Sequence, residues 1–125
     1  MIPFSLTVRD DGEYLLVAAS GDAQLAHLCG LADLCARVAR MKGHRLAMVD
    51  LLGVTPHLTF TEHLQLGAHC ATALSDLRRV ATVVPQLERK GTSEKAAQKH
   101  GLTLRTFTDV AEARLWLVPE SAAGG

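Results

Sequence analysis

Four short apolar runs, EYLLVAAS (Glu13–Ser20), RLAMVDL (Arg45–Leu51), RRVATVV (Arg78–Val84) and LTLRTF (Leu102–Phe107), are separated by longer stretches with helical periodicity. Runs of this length suit strands, and their continuous apolar character suits strands covered on both faces. Strands that alternate with helices require parallel crossovers. Ahead of the first run, Phe4, Leu6 and Val8 alternate with polar neighbours, and Asp10-Asp11-Gly12 supplies residues that tolerate a tight hairpin turn. The predicted order is therefore β-β-α-β-α-β-α-β-α. This is an α/β fold, with a mostly parallel sheet, an N-terminal antiparallel hairpin and about four flanking helices. One domain over residues 1–118 is expected, followed by a frayed tail, PESAAGG, at 119–125.

Within that frame, Ser20-Gly21-Asp22 reads as the break between the second strand and a helix running to Lys42. Leu25, Leu28, Ala32, Cys35 and Ala39 recur at helical spacing, and Leu31, Leu34 and Val38 widen the stripe. Gly43 suits the C-terminal cap. The third strand is expected over Arg45–Leu51, with Asp50 at its end, and a loop then leads to Thr59, where Thr59 and Glu62 match a capping box. Phe60, Leu64, Gly67, Ala71 and Leu74 form the predicted inward stripe of the next helix. Pro85–Lys95 reads as a polar loop, Ser93–His100 as a short helix closed by Gly101, and Asp109 with Glu112 as the start of the last helix.

Charge excludes one class of partner. Lys plus Arg and Asp plus Glu are each 13, so the net charge is zero, unlike a chain built to neutralise a nucleic-acid backbone. No apolar run reaches the ~20 residues of a transmembrane helix. The start, MIPFSLTVRDDGEY, lacks the basic region and apolar core of a signal peptide, so a cytoplasmic location is expected. Cys29, Cys35 and Cys70 lack CxxC spacing and read as reduced, buried thiols rather than a disulfide framework.

Catalytic signatures are equally sparse. GxGxxG, GxxxxGK[ST], GxSxG, HExxH and CxxC are all missing, which leaves no phosphate cradle, nucleophile elbow or metal pair to name. His63 and Cys70 stand seven residues apart, roughly 10 Å along a helix, too far for direct proton transfer. No cofactor or metal is expected, and the chain reads as non-enzymatic. In parallel sheets ligands gather at the carboxyl ends of strands. Here that edge carries Asp50, Thr59, Thr61 and Glu62, the candidate interaction or switch residues. Asp50 would bond the loop amides or serve as a contact. Thr59 and Thr61 would act as caps, or would accept phosphate at the positive end of a helix.

The layout resembles the STAS domain, a name covering sulfate transporters and anti-sigma factor antagonists. The strand ending VDL, the RVATVV strand and the closing LRTFTDVAEARLWL carry the likeness. Arg105, Phe107, Glu112, Ala113, Trp116 and Leu117 match the ending of the SpoIIAA-like branch. Anti-sigma antagonists carry Asp-Ser-Ser-Gly at the start of the second long helix, where a partner kinase phosphorylates a serine. The corresponding LTFTEH (Leu58–His63) keeps only the hydroxyls of Thr59 and Thr61. The resemblance implies a regulatory module that binds a protein partner. The similarity of this branch to SEC14-type domains implies the alternative, a small apolar-ligand or lipid carrier, with Leu64 and Leu66 lining its pocket. The broad apolar face of the first helix is also what a homodimer would bury.

Overall fold

The computed structural model describes residues 2–86 and 91–118. The elements are β1 (Ser5–Asp10), β2 (Leu15–Ala23), α1 (Leu25–Lys42), β3 (Leu46–Pro56), α2 (Phe60–Ala73), β4 (Arg79–Val83), α3 (Thr92–Lys99), β5 (Leu104–Phe107) and α4 (Val110–Leu117). The five strands stand in the sheet in chain order, with β1 antiparallel to β2 and the rest parallel. The α/β architecture expected from the apolar runs is the one observed. The expected tail at 119–125, and the centre of the expected loop at 87–90, lie outside the described residues.

Each parallel crossover steps to the next strand in the same direction, and right-handed crossovers then place their helices on one face. Leu15, Val17, Ala47, Val49 and Val80 of the sheet accordingly share a core with Leu28, Leu31 and Cys35 of α1, Ala71 of α2 and Ala97 of α3. The second face is closed by α4. There Tyr14, Met48, Ala81 and Val83 pack against Ala113 and Leu117. Leu117 is completely buried, and its truncation to alanine would cost about 2–5 kcal/mol.

Local signals set the helix ends. Gly43 adopts φ 75°, and its amide bonds the last turn of α1. Asp109 accepts the Glu112 N–H at 3.0 Å to start α4. At the head of α1, His27 Nδ1 accepts the Gln24 N–H at 2.9 Å.

Two boundaries differ from the sequence reading. Ser20, Gly21 and Asp22 do not break the chain but continue β2, and β3 does not stop at Leu51 but runs on to Pro56. The two extensions stabilise each other, since Ser20, Gly21, Asp22 and Ala23 pair with Gly53, Val54, Thr55 and Pro56. Glycine and proline are tolerated there for specific reasons. Gly21, at φ 99°, lies against the Pro3 carbonyl where no Cβ would fit. Pro56 is the last residue of its strand, where a missing N–H costs least. Between the Ala18–Asp50 and Ser20–Gly53 pairs β3 has one more residue than β2, a bulge.

The inward stripe of α2 also differs. Gly67, Ala71 and Leu74 are buried, whereas Phe60 is 69% and Leu64 41% exposed. The first turns of α2 stand over a cavity lined by His63, Leu66, Gly67 and Cys70. At ~100° per residue, Phe60 and Leu64 then fall roughly a quarter-turn to the side of that line.

Candidate functional site

The predicted capping box forms at the head of α2. Thr59 has extended backbone angles, its Oγ1 accepts the Glu62 N–H at 3.2 Å, and Glu62 Oε1 accepts the Thr59 N–H at 2.9 Å. Two orphan amides are thereby satisfied by residues three apart. Thr61 is exposed in the first turn, next to Phe60, and Leu64 follows Phe60 by one turn on the same flank. The result is a rigid helix start with two exposed apolar side chains bordered by two hydroxyls and a carboxylate.

Asp50 is not part of this edge. It pairs with Val83, whose side chain faces α4, so Asp50 points to the opposite side of the sheet from α2. Its Oδ1 accepts the Leu52 N–H at 3.0 Å. That amide belongs to the bulge, where ladder bonding is interrupted, so the carboxylate replaces a lost strand partner.

Beneath the edge lies a cavity of about 380 Å³ between the sheet and helices α1, α2 and α3. Its walls are mostly aliphatic, with Leu31, Val49, Val54, Leu66 and Leu104 among them. Leu64, expected to line such a pocket, faces outward instead, while Leu66 lines it as expected. The polar groups are confined to the end near the strand termini. His63 Nδ1 and Ser93 Oγ are 3.0 Å apart across α2 and α3. Thr82 and Thr106, register partners on β4 and β5, share a 2.9 Å hydroxyl bond. Glu94 Oε2 accepts the Thr106 N–H at 2.7 Å, tying the first turn of α3 to β5.

None of these cavity groups was singled out from the sequence as a binding residue. A signal was present: RRVATVV and LTLRTF each place a threonine inside an otherwise apolar strand. The approach of α2 to α3 was not visible at all, because it depends on Gly67. A Cβ there would come within 2.5 Å of the Ala96 Cβ and the Ser93 carbonyl.

Thiol chemistry is disfavoured. Burial pushes Cys70 up to about 12, helped by neighbouring Cys29 and Cys35, and burial alone pushes Cys35 up to about 11. Thiolate is therefore scarce at neutral pH. Among the described residues, no three His, Cys, Asp or Glu side chains converge on a point that could hold a metal ion, and no helix is long and apolar enough to cross a membrane.

The folded chain is similar to two solved structures. One is an anti-sigma factor antagonist from Mycobacterium paratuberculosis, with a TM-score of 0.63 at 13% identity over 92% of this chain and 94% of that one. The other is an uncharacterised protein with a SpoIIAA-like fold from Shewanella loihica, with a TM-score of 0.58 at 17% identity over 94% of this chain and 95% of that one. No protein-family model matches the chain, and no curated protein matches it. At these identities the likeness defines the fold. That fold is SpoIIAA-like, as the closing strand and helix suggested.

Proposed function

We propose that the chain is a non-enzymatic regulatory module that binds a protein partner through the head of α2. The observation that carries this reading is the exposure of Phe60 and Leu64, one turn apart on a capped helix. Large apolar side chains side by side on a rigid, polar-rimmed surface have the character of an interface core. The similarity in fold to an anti-sigma factor antagonist supports it.

The polar rim of that surface is Thr59, Thr61 and Glu62, with Asp50 excluded by its place across the sheet. In the switch version Thr61 is the better phosphoacceptor, because the Thr59 hydroxyl is engaged by Glu62. A phosphate on the first turn is favoured by the helix dipole and changes what a partner meets. The test is to isolate the partner complex from the protein's own cells and measure its affinity. Phe60→Asp with Leu64→Asp should abolish it, while Met41→Asp, at an exposed position on α1, should not. Thr61→Asp should weaken it, and unchanged affinity in both Thr59→Asp and Thr61→Asp would remove the switch.

A second reading, small-ligand binding, is favoured by the cavity alone, whose volume lies within the ~300–1,000 Å³ range of ligand pockets. Native mass spectrometry of protein purified from its own cells tests it. A mass excess lost on gentle activation is expected, and an apo mass would count against it.

A further inference from the structure

The two edges of the sheet are finished differently. On β5 the outward backbone groups are met by α3: Gln98 Nε2 donates to the Leu104 carbonyl at 2.7 Å, and the Thr106 N–H donates to Glu94 at 2.7 Å. On β1 they are not. The Asp11 N–H donates to the Tyr14 carbonyl at 3.0 Å, which makes that pair a hydrogen-bonded one. Bonded and non-bonded pairs alternate along an antiparallel ladder, so Arg9, Thr7 and Ser5 turn their backbone groups to β2. Leu6 and Val8 therefore turn theirs outward, and among the described residues nothing meets them. The usual guards of a free edge are missing too, since SLTVRD contains no proline, glycine or lysine.

The side chains beside this edge are apolar. Leu6 packs on the core of the α1 face, and Val8, opposite Val17, points the same way and is 37% exposed. Above them stands one flank of α1. Asp33 and Arg40 reach His69 on α2 and Asp76 just beyond it, so their flank of α1 belongs to α2. His27 stacks on Phe4 with ring centroids 5.0 Å apart, so the opposite flank looks over β1. Leu34 and Val38 follow His27 by two and three turns, within ~20° of the same line. Leu34 is also 37% exposed.

We propose that this edge and flank form the interface with a second copy of the chain, β1 pairing antiparallel with β1 to join two five-stranded sheets into one. The occupant follows from self-complementarity. A two-fold axis at Thr7, normal to the sheet, sets Leu6 of each copy opposite Val8 of the other. Both residues carry outward groups, so each pair can exchange both of its N–H···O=C bonds, and both lie on the α1 face. The second strand, ~4.8 Å away, brings its own Leu6 and Val8 toward Leu34 and Val38. The two Arg9–Asp10 ends fall at opposite ends of the seam, so like charges are kept apart. Because α2 lies on the far side of α1, its head stays open in both copies.

Sedimentation equilibrium of the full chain from micromolar to sub-millimolar concentration, with amide hydrogen exchange read by NMR at both limits, tests this. The mass should rise from 13.4 kDa toward twice that value, and the Leu6 and Val8 amides should gain protection as it does. Val8→Glu and Leu34→Glu should each weaken association by at least about ten-fold. Leu115→Glu, at an exposed position on α4, should not. Val8→Pro removes only an outward N–H and should weaken association by about three- to ten-fold, with circular dichroism checking that the monomer is folded. Where a variant does not fold, the amide protection of the native chain decides. A chain that stays monomeric throughout would overturn the proposal, even if a strand of another protein occupies the edge. So would a dimer whose Leu6 and Val8 amides stay unprotected, or one lost in Phe60→Asp and kept in Val8→Glu.

Discussion

Gly67 on α2 faces Ala96 on α3 so closely that a Cβ on the glycine would come within 2.5 Å of the alanine Cβ. The neighbouring atoms, the Ser93 carbonyl and the Ala97 amide nitrogen, are backbone and cannot rotate away. This contact fixes α3 over the cavity. Gly67→Ala should therefore destabilise the protein by about 1–3 kcal/mol, despite the better helix propensity of alanine. Urea denaturation measures it, and an unchanged or raised midpoint would show that α3 shifts freely.

The Thr59–Glu62 box makes a paired prediction. Thr59→Ala removes the acceptor for the Glu62 N–H and should cost about 1 kcal/mol. Thr59→Asp should stay within a few tenths of the parent, since aspartate caps as well as threonine. Thermal or urea unfolding separates the two. Equal losses would mean that the cap contributes nothing, and equal stability lets Thr59→Asp report on partner binding alone.

Asp22 predicts the acid limb of the stability curve. Its carboxyl lies below the ordinary 3.8, first because it bonds His57 at 2.8 Å and second because it accepts the Ile2 N–H. The folded state then holds fewer protons than the unfolded chain across the interval, so stability rises with pH there. The contribution is complete above 3.8 and is lost as pH falls through the lowered folded value. Urea midpoints measured from pH 6 down to about 2 should fall less steeply in Asp22→Asn than in the parent. Parallel curves would exclude a role for the pair.

Thiol reactivity should follow burial. At pH 8, iodoacetamide should modify Cys29 first, with Cys35 and Cys70 protected because burial pushes them up to about 11 and about 12. Peptide mapping over time gives the order. Early labelling of Cys70 would mean that the cavity opens far more readily than its packing implies.

The features legible in the sequence were those set by neighbours along the chain. Thr59 and Glu62 are three apart, Asp109 and Glu112 are three apart, and Gly43 directly follows its helix; each determines a local backbone geometry. The strands were legible because apolar runs have few other fates. Gly21, Gly53 and Pro56 misled because they are turn-forming residues that here lie inside two extended strands paired with each other. Asp22 and His57, like Asp33 and His69, are joined only by the fold, over separations of 35 and 36 residues. Phe60 carried the right spacing for burial, but the face of α2 that turns inward is that of His63, Leu66, Gly67 and Cys70 over the cavity, which leaves Phe60 to its side. The polar end of that cavity draws on β4, β5, α2 and α3 together, so no single stretch announced it.

The strand order carries a consequence for synthesis. Every strand joins the edge left by the one before it, so none has to be inserted between two already placed, and the sheet can grow in step with translation. On the face opposite α1, α2 and α3, it is α4 that reaches back, to Tyr14, Met48 and Ala81. Until those last residues leave the ribosome, one face of the sheet is bare. A chain stalled just before Val110 would then have paired strands and an open flank, the form in which a chaperone or a protease would first recognise it.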